Sequence, residues 1–130
     1  MARAYTIGAA ALALEVPTKW LDNALSHFTV VGVHQERQGV ARRLSIEALQ
    51  RLAVAEILSH EIDVPLARAL KISDQIVSGE GRFTSAGGLQ ITVDLTTLLA
   101  SLLDRLERAV EIAPVPRRGR PPKTTTGRLE

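Results

Sequence analysis

Four polar residues that follow Pro17 have the types and the spacing to contact the edges of bases in duplex DNA. A helix in this place would carry all of them on one face: Thr18, Lys19, Asp22 and Asn23. Lysine can bind guanine or a phosphate, and asparagine can pair with adenine through two hydrogen bonds. Aspartate can accept from the amino group of cytosine, although the phosphates repel it. The alternative is a solvated helix face without a ligand.

Three arginines lie within seven residues of one another shortly after this segment: Arg37, Arg42 and Arg43. The β-branched run 29–33 and the run 40–44 flank a polar turn between them, which predicts a short β hairpin. Arginines on such a hairpin can contact a phosphate backbone or enter a minor groove. The alternative is a solvated loop whose arginines pair with a neighbouring glutamate.

The segment PRRGRPPK near the end of the chain resembles an AT-hook. In such a hook, glycine lets the backbone approach the floor of a narrow A/T minor groove and proline keeps the chain extended. The arginines enter the negative potential of that groove. The candidate contacts are Arg117, Arg118, Gly119, Arg120, Pro121 and Lys123. The alternative is a generic basic tail that aids solubility. Residues 114–130 have no apolar pattern, which predicts a disordered segment.

Charge is distributed unevenly along the 130 residues. Residues 1–113 carry 11 Lys and Arg against 13 Asp and Glu, a net charge of −2, whereas residues 114–130 carry five against one, a net charge of +4. A folded body with a slightly negative net charge must bind DNA through local clusters of cations rather than through a uniformly basic surface.

The apolar residues indicate a single core built mainly from helices. The chain is 45% hydrophobic, which suffices for one globular core, and it has only four aromatic residues. Helix caps, turn residues and apolar periodicity predict a mainly α fold with small β hairpins. We expect Trp20 in the core rather than stacked on a base. The predicted helices cover residues 7–14, 18–28, 46–59, 65–78 and 94–113, and the predicted hairpins lie at 29–44 and 82–93.

This order of elements resembles the winged helix-turn-helix domain of the MerR family. The matching stretches are YTIGAAALALEVP, TKWLDNAL, QGVARRLS and SIEALQRLAVAEILSHEIDVPLARAL, and the resemblance covers about residues 5–78. It implies a recognition helix after Pro17 and a DNA-binding wing that carries the three arginines. Glu15 stands where the family usually has a small residue, and Asp22 where it usually has an arginine.

Leucines repeat along one face of the last predicted helix: Leu95, Leu98, Leu99, Leu102, Leu103 and Leu106. Burial of a leucine side chain contributes about 1.5 to 3 kcal/mol, so we expect this face to be covered. It can cover the chain's own hairpin and helix pair, or pair with the same helix of a second subunit, as in MerR-like dimers. A membrane-surface helix is a weaker alternative, because acidic residues offset the arginines on it.

The domain organisation that follows has three parts. We assign residues 1–79 to a MerR-like winged helix-turn-helix domain and residues 80–113 to a β hairpin with an amphipathic dimerisation or partner helix. Residues 114–130 form the basic AT-hook-like tail.

Several other classes of function find little support in the sequence. The apolar run 7–14 has some features of an export signal, but the chain lacks cysteine and we expect a folded helix there. The three histidines are scattered, and no nucleophile set, paired carboxylates or glycine-rich phosphate loop is apparent. We therefore expect no enzyme activity, metal, cofactor or membrane span, and a cytoplasmic, nucleoid-associated location.

Together these patterns predict a sequence-specific regulator of transcription that binds double-stranded DNA as a homodimer and represses. The alternative is an antitoxin-like protein. Such a protein would bind a toxin or another protein partner through residues 82–113 and would use its DNA-binding domain to regulate its own operon.

Overall fold

A computed structural model describes residues 4–35 and 41–112 of the chain, without the side chains of residues 111 and 112. The described part is mainly helical, with five helices and two small antiparallel sheets, which confirms the predicted mainly α class with small hairpins. None of the described helices is both long enough and apolar enough to cross a membrane.

The elements follow one another with short connections. In chain order they are β1 (Ala4–Tyr5), α1 (Ile7–Leu14), α2 (Thr18–His27), β2 (Val33–His34), β3 (Arg43–Ser45), α3 (Ile46–Ile62), α4 (Leu66–Ser78), β4 (Arg82–Thr84), β5 (Gln90–Thr92) and α5 (Leu95–Ile112).

Side-chain caps fix where two of the helices begin. The Thr6 hydroxyl accepts a hydrogen bond from the Ala9 amide at 3.1 Å at the start of α1, and the Ser45 hydroxyl accepts from the Ala48 amide at 3.4 Å at the start of α3. Each of these bonds satisfies an amide that has no partner within its helix. The N-termini of α1 and α3 therefore lie where the sequence predicts them.

The first sheet has three strands in the order β1-β3-β2, all antiparallel. The prediction that the whole run 29–33 is a strand is wrong, since only Val33 of this run belongs to β2. Val30 is instead buried in the core, and its carbonyl accepts from the Val33 amide in a turn. Burial of this side chain overrides the β propensity of the run. The second hairpin is present as predicted, with Phe83 opposite Ile91.

Gly32 permits the close junction between this turn and the start of α3. Its φ is +96°, and its carbonyl accepts from the Ser45 amide at 2.9 Å. A Cβ at this position would clash with the Ser45 hydroxyl and would lie 2.9 Å from the Ala48 amide nitrogen. Both the backbone conformation and the available space therefore require glycine here.

The core is a continuous cluster to which all five helices contribute. The α3 helix lies against α4, and α1 lies against α5. The largest fully buried apolar side chains come from five different elements: Leu21, Leu44, Leu49, Leu52, Val54, Ile76, Leu102 and Leu106. Residues 80–112 therefore share the core of residues 4–79 and do not build a separate one.

We predict that Gly32→Ala lowers the free energy of unfolding by about 1 to 3 kcal/mol, because the added methyl group has no space and the backbone there is left-handed. Chemical denaturation measures the change. Gly87→Ala is the matched control, since the nearest atom to its new methyl group would be the Ser85 hydroxyl at 3.9 Å. Equal stability of the two variants would show that the junction tolerates a side chain.

Candidate nucleic-acid interface

The exposed face of α2 contains the residues that the sequence predicts for base contacts. Leu21, Ala24 and Leu25 are buried on the other side of the helix, where they join the core or cover it. The four candidate side chains share the solvent-exposed side: Thr18, Lys19, Asp22 and Asn23. The structure therefore brings this set together on one accessible surface.

The packing of α2 against α1 fixes the orientation of this face. Three residues separate the two helices, and Glu15 adopts a left-handed conformation with a φ of 60° at the end of α1. The Glu15 amide donates to the Leu12 carbonyl, and the Val16 amide donates to the Ala11 carbonyl at 3.0 Å. A left-handed conformation is unfavourable for a residue with a Cβ. The left-handed backbone at Glu15 therefore costs conformational free energy, which the tight turn requires.

The β3 strand brings an arginine to the same face. Arg42 lies just before β3, and its guanidinium is 4.0 Å from the Asp22 carboxylate of α2. Arg43 is exposed and pairs across the hairpin with His34 of β2, which is also exposed. Arg42 therefore connects the base of the hairpin to the polar face of α2. Arg37 lies outside the described residues.

The charges on this surface are partly compensated. Asp22 is paired with Arg42, whereas Lys19 and Arg43 make no ion pair with another described residue. An exposed pair at this distance contributes about 0 to 1 kcal/mol to stability, so its main effect is on the position of the two charges. Among the described residues, Lys19 is therefore a free cation beside neutral hydrogen-bonding groups on α2, and Arg43 is a free cation on the hairpin; such groups are suited to base edges and phosphates.

Trp20 and His27 lie on α2 but are not among its four candidate base contacts. Trp20 is partly buried and packs against the core, which agrees with its predicted place there. The His27 ring nitrogen Nδ1 lies 2.8 Å from the Asn23 carbonyl in the last turn of α2. Within residues 4–35 and 41–112, no three His, Cys, Asp or Glu side chains are grouped so that they could hold a metal ion.

The leucine face of α5 is divided between the core and the solvent. Leu102 and Leu106 are fully buried within the single chain, and Leu95 and Leu98 pack against the core. Leu99 is half-buried, while Leu103 is 43% exposed. Val110, which was not among the predicted interface residues, is 45% exposed. The surface that α5 offers to another chain is therefore narrower than the predicted set of six leucines.

One buried cation escaped prediction from the sequence. Arg51 of α3 is 8% exposed, and its Nε donates to the Asp74 carboxylate of α4 at 2.7 Å. Its other nitrogens donate to the Glu47 carbonyl at 3.1 Å and to the Ser78 hydroxyl at 3.4 Å. The bonds to Asp74 and Ser78 connect α3 to α4, and the bond to Glu47 lies within α3. The only signal in the sequence is a charged residue inside the apolar stripe of α3.

The predicted minor-groove contacts of the tail all lie outside the described residues: Arg117, Arg118, Gly119, Arg120, Pro121 and Lys123. Comparisons of the chain with protein-family models, with curated proteins and with solved structures give no match. The α2 face and the base of the hairpin are therefore the described features from which a function is inferred.

We predict that Arg51→Met lowers the free energy of unfolding by about 1 to 3 kcal/mol, because three hydrogen bonds between or within α3 and α4 are lost. Urea denaturation measures this loss. Arg108→Met is the matched control, since Arg108 pairs with Asp104 on the exposed side of α5 and should change stability by less than about 0.5 kcal/mol. A similar effect of the two substitutions would mean that burial adds nothing to the Arg51 network.

Proposed function

We propose that the chain is a sequence-specific regulator of transcription that binds double-stranded DNA through a MerR-like winged helix-turn-helix and acts as a dimeric repressor. The single observation that supports this most is the contact between Arg42 and Asp22, which joins the base of the hairpin to the exposed polar face of α2. In this proposal α2 is the recognition helix and the hairpin is the wing.

The dimensions of α2 are compatible with a recognition helix. A helix with its side chains is about 10 to 12 Å across, and the major groove of B-DNA is about 12 Å wide and admits one helix. Thr18 and Lys19 lie in the first turn of α2, which is the part of a recognition helix that reaches base edges. Asn23 lies one turn further along the same face and is assigned to adenine.

The wing has a positioning role in this proposal. Arg43 is exposed and free of ion pairs with other described residues, so it can bind a phosphate beside the groove that α2 enters. Arg42 both holds Asp22 and lies close enough to the phosphates to contribute to their attraction. Arg37 and the tail contacts remain proposals based on the sequence, with Arg118 and Arg120 assigned to an A/T-rich minor groove.

Dimerisation is assigned to the exposed part of α5. Leu99, Leu103, Leu106 and Val110 follow a four-three-four spacing, which is that of the seam of a coiled coil. Leu106 is already buried within the chain, so the new contacts would come from the other three residues. A dimer with two-fold symmetry would bind two half-sites about one helical turn of DNA apart.

An antitoxin-like role is the second candidate, and exposed apolar side chains in residues 82–112 favour it. Leu89 near the tip of the second hairpin is exposed, as is Leu103 on α5. Both can serve a protein partner while the surface around α2 binds an operator. Co-purification of a stoichiometric partner from the native host would support this role.

We predict that Lys19→Ala and Asn23→Ala each reduce the preference for the selected site over random duplex DNA by about 1 to 3 kcal/mol. Fluorescence anisotropy on both DNAs measures the preference. The control is Arg82→Ala, which removes an exposed cation from β4. Equal losses on the two DNAs would show that Lys19 and Asn23 contact only the backbone.

We predict that Asp22→Asn tightens binding to specific and random duplexes alike. The substitution removes a negative charge beside the phosphates and frees Arg42, so the slope of log affinity against log salt should steepen by about one. Glu61→Gln makes the same change in net charge at an exposed position in the last turn of α3. If Glu61→Gln has the same effect, the response reflects net charge alone and the assigned contact surface is wrong.

We predict that Leu103→Glu converts a dimer into a monomer, because it places a charge at the centre of the exposed apolar strip of α5. Multi-angle light scattering over a range of protein concentrations measures the mass. Ser101→Glu is the control, since Ser101 is also exposed on α5 but lies on the opposite side of the helix from the strip. A monomeric wild-type chain at high concentration would contradict the assigned dimer.

A further inference from the structure

A cleft lies between the segment that follows α2 and the face of α4. Its volume is about 370 Å³, which falls within the range of about 300 to 1,000 Å³ that small-molecule sites occupy. Phe28 and Val31 line it on the side of the connecting segment, and Leu70 lines it on the side of α4. Val31 is 52% exposed, so an apolar ligand would remove apolar surface from water.

Three charged side chains line the same cleft. Arg51 and Asp74 neutralise each other through the hydrogen bond of 2.7 Å that joins them. Lys71 makes no ion pair or hydrogen bond with another described residue. The lining therefore combines apolar walls with one uncompensated positive charge.

We propose that this cleft binds a small amphiphilic carboxylate, a molecule with an apolar body and one anionic group. The carboxylate pairs with the Lys71 ammonium, and the apolar body contacts Phe28, Val31 and Leu70. A neutral apolar molecule would leave the Lys71 charge without a partner, and an amine would meet a like charge. A nucleic-acid phosphate is a poor fit, because most of the lining is apolar.

The position of the cleft gives such a ligand a route to the DNA-binding surface. Residues 28–32 connect α2 directly to β2, so a ligand that bridges this segment and α4 acts on the link between the proposed recognition helix and the proposed wing. This regulatory consequence rests on the proposed function. Ligand binding itself does not, and it is measured on the chain without DNA.

Decanoate is the probe for the site, and decylamine and decanol are the matched cationic and neutral probes, all below the concentrations at which they aggregate. We expect saturable binding of decanoate in NMR titrations, with shifted amide resonances in residues 28–31 and 67–74. Lys71→Gln should weaken binding by up to about fivefold, which corresponds to the loss of one solvent-exposed charge pair. Arg68→Gln on the same helix is the control and should bind decanoate as the wild type does.

A second variant tests whether the ligand occupies the volume of the cleft, independently of the Lys71 charge. Ala67 is exposed and lines the cleft, so Ala67→Phe should fill the cleft and abolish decanoate binding while the fold is kept. The proposal is wrong if decanoate shows no saturable binding or if decylamine binds as tightly as decanoate. Equal weakening by Lys71→Gln and Arg68→Gln would also overturn it. A changed oligomeric state of ligand-free Ala67→Phe would assign the cleft to a contact between copies of the chain instead.

The effect of decanoate on DNA affinity is measured separately from the binding of decanoate to the chain. A shift in DNA affinity on addition of decanoate to the wild type, absent in Ala67→Phe, would support the regulatory consequence. Decanoate binding without any such shift would overturn that consequence alone. Failure of the chain to bind any DNA would count against the proposed function and would leave the ligand site supported by the titrations.

Discussion

The direct junction between β3 and α3 is the constraint on which the candidate interface depends. Ser45 is both the last residue of β3 and the N-terminal cap of α3, so no loop separates the hairpin from the central helix. Its amide donates to the Gly32 carbonyl and its hydroxyl accepts from the Ala48 amide. The base of the hairpin is thereby held against a helix that is largely buried, and Arg42 is presented to α2 from a fixed position.

The α5 helix illustrates a second constraint, because part of its apolar face is buried in the core and only the remainder is exposed for the proposed contact with a second chain. The helix lies against α1 with Leu102 and Leu106 fully buried, and the Arg105 guanidinium donates to the Ala13 carbonyl at 2.6 Å near the end of α1. Asp94 begins α5 as an exposed cap, and its hydrogen bonds from Thr97 lower the pKa of its carboxyl group. Since α5 packs against α1, and α1 packs against α2, the exposed strip of α5 is separated from the proposed recognition helix by one helix.

Local signals in the sequence predicted the helices well and the strands less well. Thr6 and Ser45 identify helix starts through chemistry that lies within four residues. The sequence predicts that α3 ends near Ser59, but the helix continues to Ile62. Asp63 then ends it in a left-handed conformation with a φ of 59°. The β1 strand was missed, since its two residues pair with Leu44 and Ser45, about forty positions away, and two residues carry no periodicity.

The candidate site likewise combines a feature that local sequence patterns predict with contacts that they do not predict. The exposed face of α2 follows from helical periodicity alone, and the structure brings its four residues together as expected. The contact between Asp22 and Arg42 and the network of Arg51 and Asp74 join residues 20 or more positions apart, which no local pattern reveals. The leucine pattern of α5 is the same whether the helix packs within the chain or against a second copy, so only the fold shows which leucines remain exposed.

We propose that the polar face of α2 reads base sequence in duplex DNA. Selection of bound molecules from a pool of random duplexes, followed by sequencing, tests this proposal. We expect enrichment of one motif with two symmetric half-sites whose centres lie about one helical turn apart. A bound pool with the same sequence distribution as the starting pool would contradict it.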